Sequence, residues 1–172
     1  MWSHAPFHFT AADGIYMITS GTCQKRHFYE APADLDLLQS QLFAIAKEHS
    51  IVLHAWCLLV NHYHLVVDAM SGTIQPFIRH LHSVAAIELN RRQGAPGRKV
   101  WFQYFDTMIT SQRSYFARLK YVHENAVHHG VAMNAMNYRW CSASWFVDQA
   151  PRGFVRAVCD ASLNHVSVPD EY

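Results

Sequence analysis

Alternating and continuous apolar stretches predict four or five β-strands along the first two thirds of the chain. The stretch 14–20 follows an Asp-Gly pair and is stopped by a glycine, as is typical of a strand. The stretches 51–60 and 62–68 are rich in β-branched and aromatic residues and lie almost end to end, which predicts that they pair through a tight reversal. Apolar residues at 100–106 and 107–110 predict one or two further strands.

Apolar residues that recur every three or four positions predict three helices. The first spans 33–50, and its early aspartates suit the positive end of a helix dipole. The second spans 74–92 and carries a proline that only its first turn tolerates. The third begins after Ser111, a typical capping residue, and runs to 125 or 129 before Gly130 ends it.

The order strand, helix, strand, strand, helix, strand predicts an α+β fold. It is the order of a ferredoxin-like sandwich, in which an antiparallel sheet carries two helices on one face. The third predicted helix is an additional C-terminal element in this plan. We also expect the aromatic segment 137–146 to be ordered and the residues from Asp160 onward to form a loose tail.

Length and composition favour a single globular domain. The chain has 172 residues, of which 51% are hydrophobic, enough for one well-buried core. Apolar runs are too short for a membrane span, and residues 1–7 lack the pattern of a signal peptide, so we expect a cytoplasmic protein with no membrane partner. The four cysteines are widely spaced, which favours reduced thiols over a disulfide framework.

The net charge is only +1, but basic residues are concentrated in two segments. Between 79 and 99, five basic residues stand against one acidic residue, which gives a local charge of +4. Between 113 and 139, four stand against one, which gives +3. A basic face of this kind favours phosphate groups. Solvated helix faces also carry such charge, so the charge pattern alone leaves both interpretations open.

Two histidines, His62 and His64, lie near the middle of the most apolar part of the chain. On a strand, the period of two puts both imidazoles on the same face, where they could bind one divalent cation. Polar residues on a half-exposed strand are an ordinary alternative. His80 and His82 have the same spacing, but on a helix that spacing turns the two rings to nearly opposite sides.

A third ligand and a reacting group are suggested by the third predicted helix. Tyr121 and Asn125 are four residues apart and therefore share a helix face. An amide oxygen is a reasonable third ligand for Mg²⁺ or Mn²⁺. A phenol one turn away could attack a phosphodiester and conserve its energy in a covalent phosphotyrosine. The alternative is that both side chains only pack against the core.

Four segments resemble the motifs of the HUH tyrosine transposases, which act on single-stranded DNA. Residues 61–67, Asn-His-Tyr-His-Leu-Val-Val, resemble the signature strand that carries their paired histidines. Residues 121–130 resemble the helix that carries their tyrosine, 138–144 the tryptophan-serine stretch after it, and 16–21 their first strand. An asparagine four residues after the tyrosine is most similar to the REP-associated tyrosine transposases, a branch thought to act on palindromic repeats.

The resemblance implies one HUH-type domain over 1–172, with a core at about 14–146 and an extension at 147–172. It implies that His62, His64 and Asn125 bind Mg²⁺ or Mn²⁺ and that Tyr121 is the catalytic nucleophile on the additional helix. The family nicks and transfers single-stranded DNA beside a hairpin, leaving a 5′-phosphotyrosine and a free 3′-OH. The expected partner is therefore single-stranded or hairpin DNA, bound by a monomer or a homodimer.

Several basic residues are candidates for contacts with the DNA backbone, which give affinity without sequence choice. They are Lys25, Arg26, Arg91, Arg92, Lys99, Arg113 and Arg118. The sequence departs from the family at Leu59-Val60, at Ala126 and at His128, where a Met-Pro pair, a proline and a basic residue are usual. None of these changes removes a reacting group. Two alternatives stay open, a hairpin-binding protein without catalysis and a metal-dependent phosphodiesterase that uses water.

Overall fold

The computed structural model describes residues 12–164 and residue 166, and within them a four-stranded sheet is the central element. Its strands are β1 (Gly14–Thr22), β2 (Val52–Leu58), β3 (His62–Ala69) and β4 (Trp101–Met108). They lie in the order β2-β3-β1-β4, and all neighbours are antiparallel. This is the strand order of a ferredoxin-like sheet, so the predicted fold class is confirmed.

Five α-helices surround the sheet in the described part of the chain. They are α1 (Pro32–Glu48), α2 (Ile74–Arg92), α3 (Gln112–His128), α4 (Ala143–Gln149) and α5 (Arg152–Cys159). The first three match the predicted helices within a few residues. The segment 137–146 is ordered, as predicted, while α5 was not predicted. The predicted tail from 160 lies largely outside the described residues, as does the segment 1–7. No helix of the described residues is long and apolar enough to cross a membrane.

The alternation of side chains along the strands separates two hydrophobic cores. Tyr63 and Leu65 of β3 point to the core that α1 and α2 cover. Val66 points to the opposite core, where Leu119 and Val122 of α3 pack. Because His62 and His64 share the parity of Val66, both belong to the face that α3 covers.

Both ends of α3 are fixed by local interactions that the sequence predicts. The Ser111 side chain accepts a hydrogen bond from the backbone N–H of Ser114, so it caps the first turn. At the other end, Gly130 has φ +68°, and the N–H of Val131 donates to the Ala126 carbonyl. This is a Schellman motif, whose left-handed residue favours glycine. The start and the stop of α3 are therefore confirmed.

We expect the fold to lose stability in mild acid because of His123 on α3. Its side chain is buried against Phe146, with ring centroids 4.7 Å apart, and burial lowers its pKa to about 4. In the unfolded chain this histidine has a pKa near 6.5, so the unfolded state binds the proton more tightly than the folded state. The free energy of unfolding is therefore highest above pH 6.5 and falls as the pH drops towards 4. Between pH 7 and 5, His123 should account for a loss of about 2 kcal/mol in urea denaturation, and His82, whose pKa burial lowers to about 3, should add a similar loss.

His123→Leu removes this titrating group and should reduce the slope of unfolding free energy against pH by about half, because His82 still titrates. His27→Ala is the matched control, because His27 is exposed. Equal slopes for wild type and His123→Leu would show that His123 does not carry the acid sensitivity.

Candidate functional site

His62 and His64 lie side by side at the start of β3. Their ring centroids are 5.1 Å apart, and the two residues are only 2% and 0% exposed. In the sheet, His62 is opposite Gly21 and His64 is opposite Thr19 of β1. The strand therefore fixes both backbones, and the burial restricts both rings.

Each imidazole is oriented by a hydrogen bond at Nδ1. His62 Nδ1 lies 2.8 Å from Asn61 Oδ1, and His64 Nδ1 lies 2.8 Å from Thr19 Oγ1. The Asn61 amide is itself oriented, because its Nδ2 donates to the Lys25 carbonyl at 3.2 Å. Since an amide oxygen only accepts, His62 carries its proton on Nδ1, and the lone pair is on Nε2. This is the tautomer and the type of support that metal-binding histidines show.

Tyr121 lies beside this pair. Its ring centroid is 5.3 Å from that of His64 with the planes at 83°, an edge-to-face arrangement. The helix α3 that carries Tyr121 packs on β2 and β3 through Leu119, Val122 and Ala126. Asn125 follows one turn later and is 1% exposed. The predicted strand pair and Tyr121 therefore meet at one place in the fold, and Asn125 shares a helix face with Tyr121.

The structure adds His129, to which the sequence analysis assigned no role. Its ring centroid lies 4.6 Å from that of His62. His129 is the C-cap of α3, and its backbone N–H donates to the Asn125 carbonyl at 3.0 Å. A sequence signal was available in its spacing, since His129 follows Asn125 by four residues and so continues the helix face of Tyr121 and Asn125.

The residues present fit a divalent ion of the first transition series. Nε2 of His62 and Oδ1 of Asn125 are both shielded from solvent. Two imidazoles and one amide oxygen form a mixed nitrogen and oxygen donor set. Mg²⁺ prefers oxygen ligands throughout, whereas Mn²⁺ binds more strongly to nitrogen. The chemistry of the donors therefore favours Mn²⁺ over Mg²⁺.

Two of the predicted DNA-binding residues adjoin this cluster. Lys25 and Arg26 follow β1 and are exposed, and the Lys25 carbonyl accepts the hydrogen bond from Asn61. The guanidinium groups of Arg26 and Arg98 lie 5.3 Å and 4.4 Å from the ring centroid of Phe28. These side chains line an open cavity of about 550 Å³. Glu30 and Asp34 also line this cavity, so its charges are mixed.

Arg91 and Arg92 have intramolecular partners instead. Arg91 donates from both Nε and Nη2 to the Glu88 carboxylate, at 2.9 Å and 2.5 Å. Arg92 lies 3.5 Å from Asp34 and also donates to the Ala33 carbonyl, so it joins α2 to α1. Neighbouring carboxylates thus offset part of the local charge counted from the sequence.

The other predicted contacts are on two different elements. Lys99 precedes β4, and its Nζ lies 5.5 Å from the ring centroid of Phe102. Arg113 and Arg118 are in the first half of α3 and line a smaller cavity of about 140 Å³. Arg118 donates to Ser114 Oγ, and burial lowers its pKa. Arg113 is exposed.

An exposed aromatic residue, Phe105, lies on the same face of the sheet as the histidine pair. It is directly opposite Thr19 in the register of β1 and β4, and residues opposite each other share a face. Its side chain is 37% exposed, because α3 covers mainly β2 and β3. Trp101 is buried and stacks on His82, with centroids 4.6 Å apart.

We expect Asn61 to position His62 rather than to react. Asn61→Ala removes the acceptor at Nδ1, which frees the imidazole to rotate and to change tautomer. Loss of such an outer partner typically weakens metal binding about 10- to 100-fold. Calorimetric titration with Mn²⁺ should show this loss, while the fall in thermal stability should match that caused by removing another buried amide. Asn90→Ala is a control, because Asn90 is an equally buried amide on α2. Equal Mn²⁺ affinities for wild type and Asn61→Ala would contradict the positioning role.

The comparisons with known proteins concern the fold. No family model matches the sequence, and no curated protein matches it. A REP-associated tyrosine transposase, solved bound to a REP hairpin, has a TM-score of 0.73 and 15% sequence identity, over 97% of this chain and 96% of that chain. A Deinococcus radiodurans protein described as a transposase has a TM-score of 0.48 and 18% identity, over 76% and 95%. The match with a TM-score of 0.73 confirms, at the level of the fold, the resemblance drawn from the motifs.

Proposed function

We propose that this chain, which has the fold of a REP-associated tyrosine transposase, nicks and transfers single-stranded DNA beside a hairpin. The observation that carries the proposal is the placement of the Tyr121 ring, 5.3 Å from a buried His64 that is itself paired with His62. This arrangement suits phosphoryl transfer, because the fold brings a nucleophile from a helix next to metal-binding groups on a rigid sheet.

In this proposal, the Tyr121 oxygen forms a bond to phosphorus as the bond from phosphorus to the 3′-oxygen breaks. The phenol gives up its proton, the 3′-oxygen gains one, and the products are a 5′-phosphotyrosine and a free 3′-OH. The phosphodiester energy is retained, so the reverse attack by a 3′-OH can join a new strand. His62, His64 and Asn125 would hold the divalent ion. When bound, such an ion withdraws charge from the phosphate and favours the phenolate.

The surface around the cluster supports a DNA substrate. Lys25 and Arg26 are exposed cations beside His62, and Lys99 is close by, because the Cys23 N–H donates to the Val100 carbonyl. Cations of this kind bind the phosphate backbone, so affinity should fall steeply with salt. The structural neighbour was solved with a REP hairpin bound. We propose a hairpin with a single-stranded extension as the substrate of this chain too.

Phe105 should act as a stacking platform for an unpaired base. It is exposed next to Thr19, the partner of His64, so a strand leading to Tyr121 would pass over it. Stacking on an aromatic ring contributes about 1–3 kcal/mol per base, so Phe105→Ala should weaken binding of the extended hairpin about 5- to 150-fold. Fluorescence anisotropy measures this. Phe43→Ala, a similarly exposed aromatic on α1, is the control, and equal losses would exclude a specific platform.

The test is a nicking reaction on labelled hairpins with single-stranded extensions, in Mn²⁺ or Mg²⁺. We expect an adduct of protein and DNA that survives denaturation, and its disappearance on adding EDTA. Tight binding without any adduct would indicate a binding protein instead. If DNA is cleaved without forming an adduct, and this cleavage persists in Tyr121→Phe, the protein is a phosphodiesterase that activates water. Either result would overturn the proposed mechanism.

A further inference from the structure

A second group of metal-binding side chains lies on the other side of the sheet, between α1 and α2. His49 is the C-cap of α1, Glu48 is the last residue of that helix, and His80 is on α2. Their ligand atoms all lie within 4.8 Å of one another. Among the described residues, no other set of three histidine, cysteine or carboxylate side chains meets this distance condition. They belong to the layer opposite α3, away from Tyr121.

The distances within the group are close to those around a single ion. His49 Nε2 and His80 Nδ1 are 3.1 Å apart. Two ligands at about 2.0–2.1 Å from a tetrahedral zinc ion are about 3.3 Å apart, so these nitrogens would scarcely need to move. Glu48 Oε1 is 3.7 Å from His80 Nδ1, and the Glu48 side chain is 64% exposed. A small rotation of that side chain would bring its oxygen into the same shell.

The backbone that carries His49 is held in place. The N–H of Ser50 donates to the Lys47 carbonyl and that of Ile51 to the Ala46 carbonyl, which is a Schellman motif. Ser50 occupies its left-handed position with φ +57°, where glycine is the usual residue. The His49 ring also packs edge-on against Phe77 of α2, with centroids 6.2 Å apart. Two of the three ligands are thus positioned before any ion binds.

We infer that Glu48, His49 and His80 form a zinc site that links the end of α1 to α2. Two imidazoles and a carboxylate suit Zn²⁺, with water in the fourth position, better than they suit Mg²⁺. Binding requires His49 Nε2 and His80 Nδ1 both to be deprotonated. The proton in the hydrogen bond between them must therefore be released or move to the other nitrogen of its ring. Because the ion binds the folded arrangement, it should raise Tm by about 5–10 °C at a hundredfold excess over Kd.

The experiment is a titration of the full chain with ZnCl₂, followed by calorimetry and by the imidazole ¹⁵N resonances. We expect saturable binding of one zinc ion at this site, with shifts at Nε2 of His49 and Nδ1 of His80. His80→Ala should weaken binding at this site at least about 100-fold, since a site with two ligands remains. Repeating both titrations in the His64→Gln background removes the competing histidine pair.

His27→Ala is the matched control. His27 and Glu30 also form a pair of histidine and carboxylate, 3.8 Å apart, and both are exposed. We expect zinc binding in His27→Ala to equal that of wild type. Unshifted His49 and His80 resonances, or equal losses in His27→Ala and His80→Ala, would overturn the inference. None of these readouts involves DNA, so the zinc site and the proposed nicking activity can fail independently.

Discussion

Tyr121→Phe should abolish the covalent adduct between protein and DNA while leaving hairpin binding unchanged. The substitution removes only the phenolic oxygen, which is the proposed nucleophile. Phenylalanine keeps the ring and therefore the edge-to-face contact with His64, in which the two ring centroids are 5.3 Å apart. Removing a nucleophile leaves no route to a covalent intermediate, so we expect adduct formation to fall by at least about 10⁴-fold. Denaturing gels after incubation with labelled hairpin and Mn²⁺ measure the adduct.

Tyr115→Phe is the matched control for this substitution. Tyr115 lies on the same helix, and its hydroxyl is 2.7 Å from Nδ1 of His54 on β2. Burial raises the pKa of this phenol, which makes it a poor nucleophile. We expect Tyr115→Phe to form adducts at the wild-type level. Adduct formation by Tyr121→Phe at the wild-type level would place the nucleophile elsewhere.

The elements that the sequence predicts well are those whose signals are local. Gly130 and Ser111 fix the ends of α3 through contacts within a few residues, and both ends are confirmed. The period of two along β3 likewise predicts that His62 and His64 share a face, because the pleat of a strand does not depend on the rest of the fold. Local geometry therefore accounts for most of the fold and for the pairing of the histidines.

Other features depend on contacts between residues far apart in the chain. Asn61 orients His62, but only the fold brings it to the Lys25 carbonyl, and Phe105 becomes part of the site face only through its register with Thr19. His129 lies beside His62 because α3 crosses the sheet at that point. Arg91 and Arg92 illustrate the converse, since their carboxylate partners reduce the charge that a count of basic residues predicts. Such features need the tertiary structure.

The two histidine groups have opposite surroundings, and this difference bears on their expected roles. His62 and His64 are buried and oriented by hydrogen bonds to Asn61 and Thr19. These hydrogen bonds offset the free-energy cost of burying polar groups and hold both rings in fixed orientations. Glu48 and His80 lie at the surface, where an ion would add stability rather than reactivity.

His64→Gln should reduce adduct formation about 10³-fold without removing the nucleophile. A bound divalent ion typically supplies several kcal/mol of stabilisation to the charge that develops on the phosphate, which corresponds to a factor of this size. Glutamine keeps a polar group towards Thr19, so the buried hydroxyl that lies 2.8 Å from His64 Nδ1 retains a possible partner. The rate of adduct formation, measured at increasing Mn²⁺, should stay low at every concentration.

His54→Gln is the matched control, because His54 is also an imidazole on a strand but bonds to Tyr115 instead. We expect its adduct rate and its dependence on Mn²⁺ to equal those of wild type. If excess Mn²⁺ restored His64→Gln to the wild-type rate, His64 would contribute affinity for the ion but not its placement. If His64→Gln formed adducts at the wild-type rate at every Mn²⁺ concentration, His64 would not be a ligand. Only a persistent defect with retained DNA binding supports an ion held by this imidazole at the attacked phosphate.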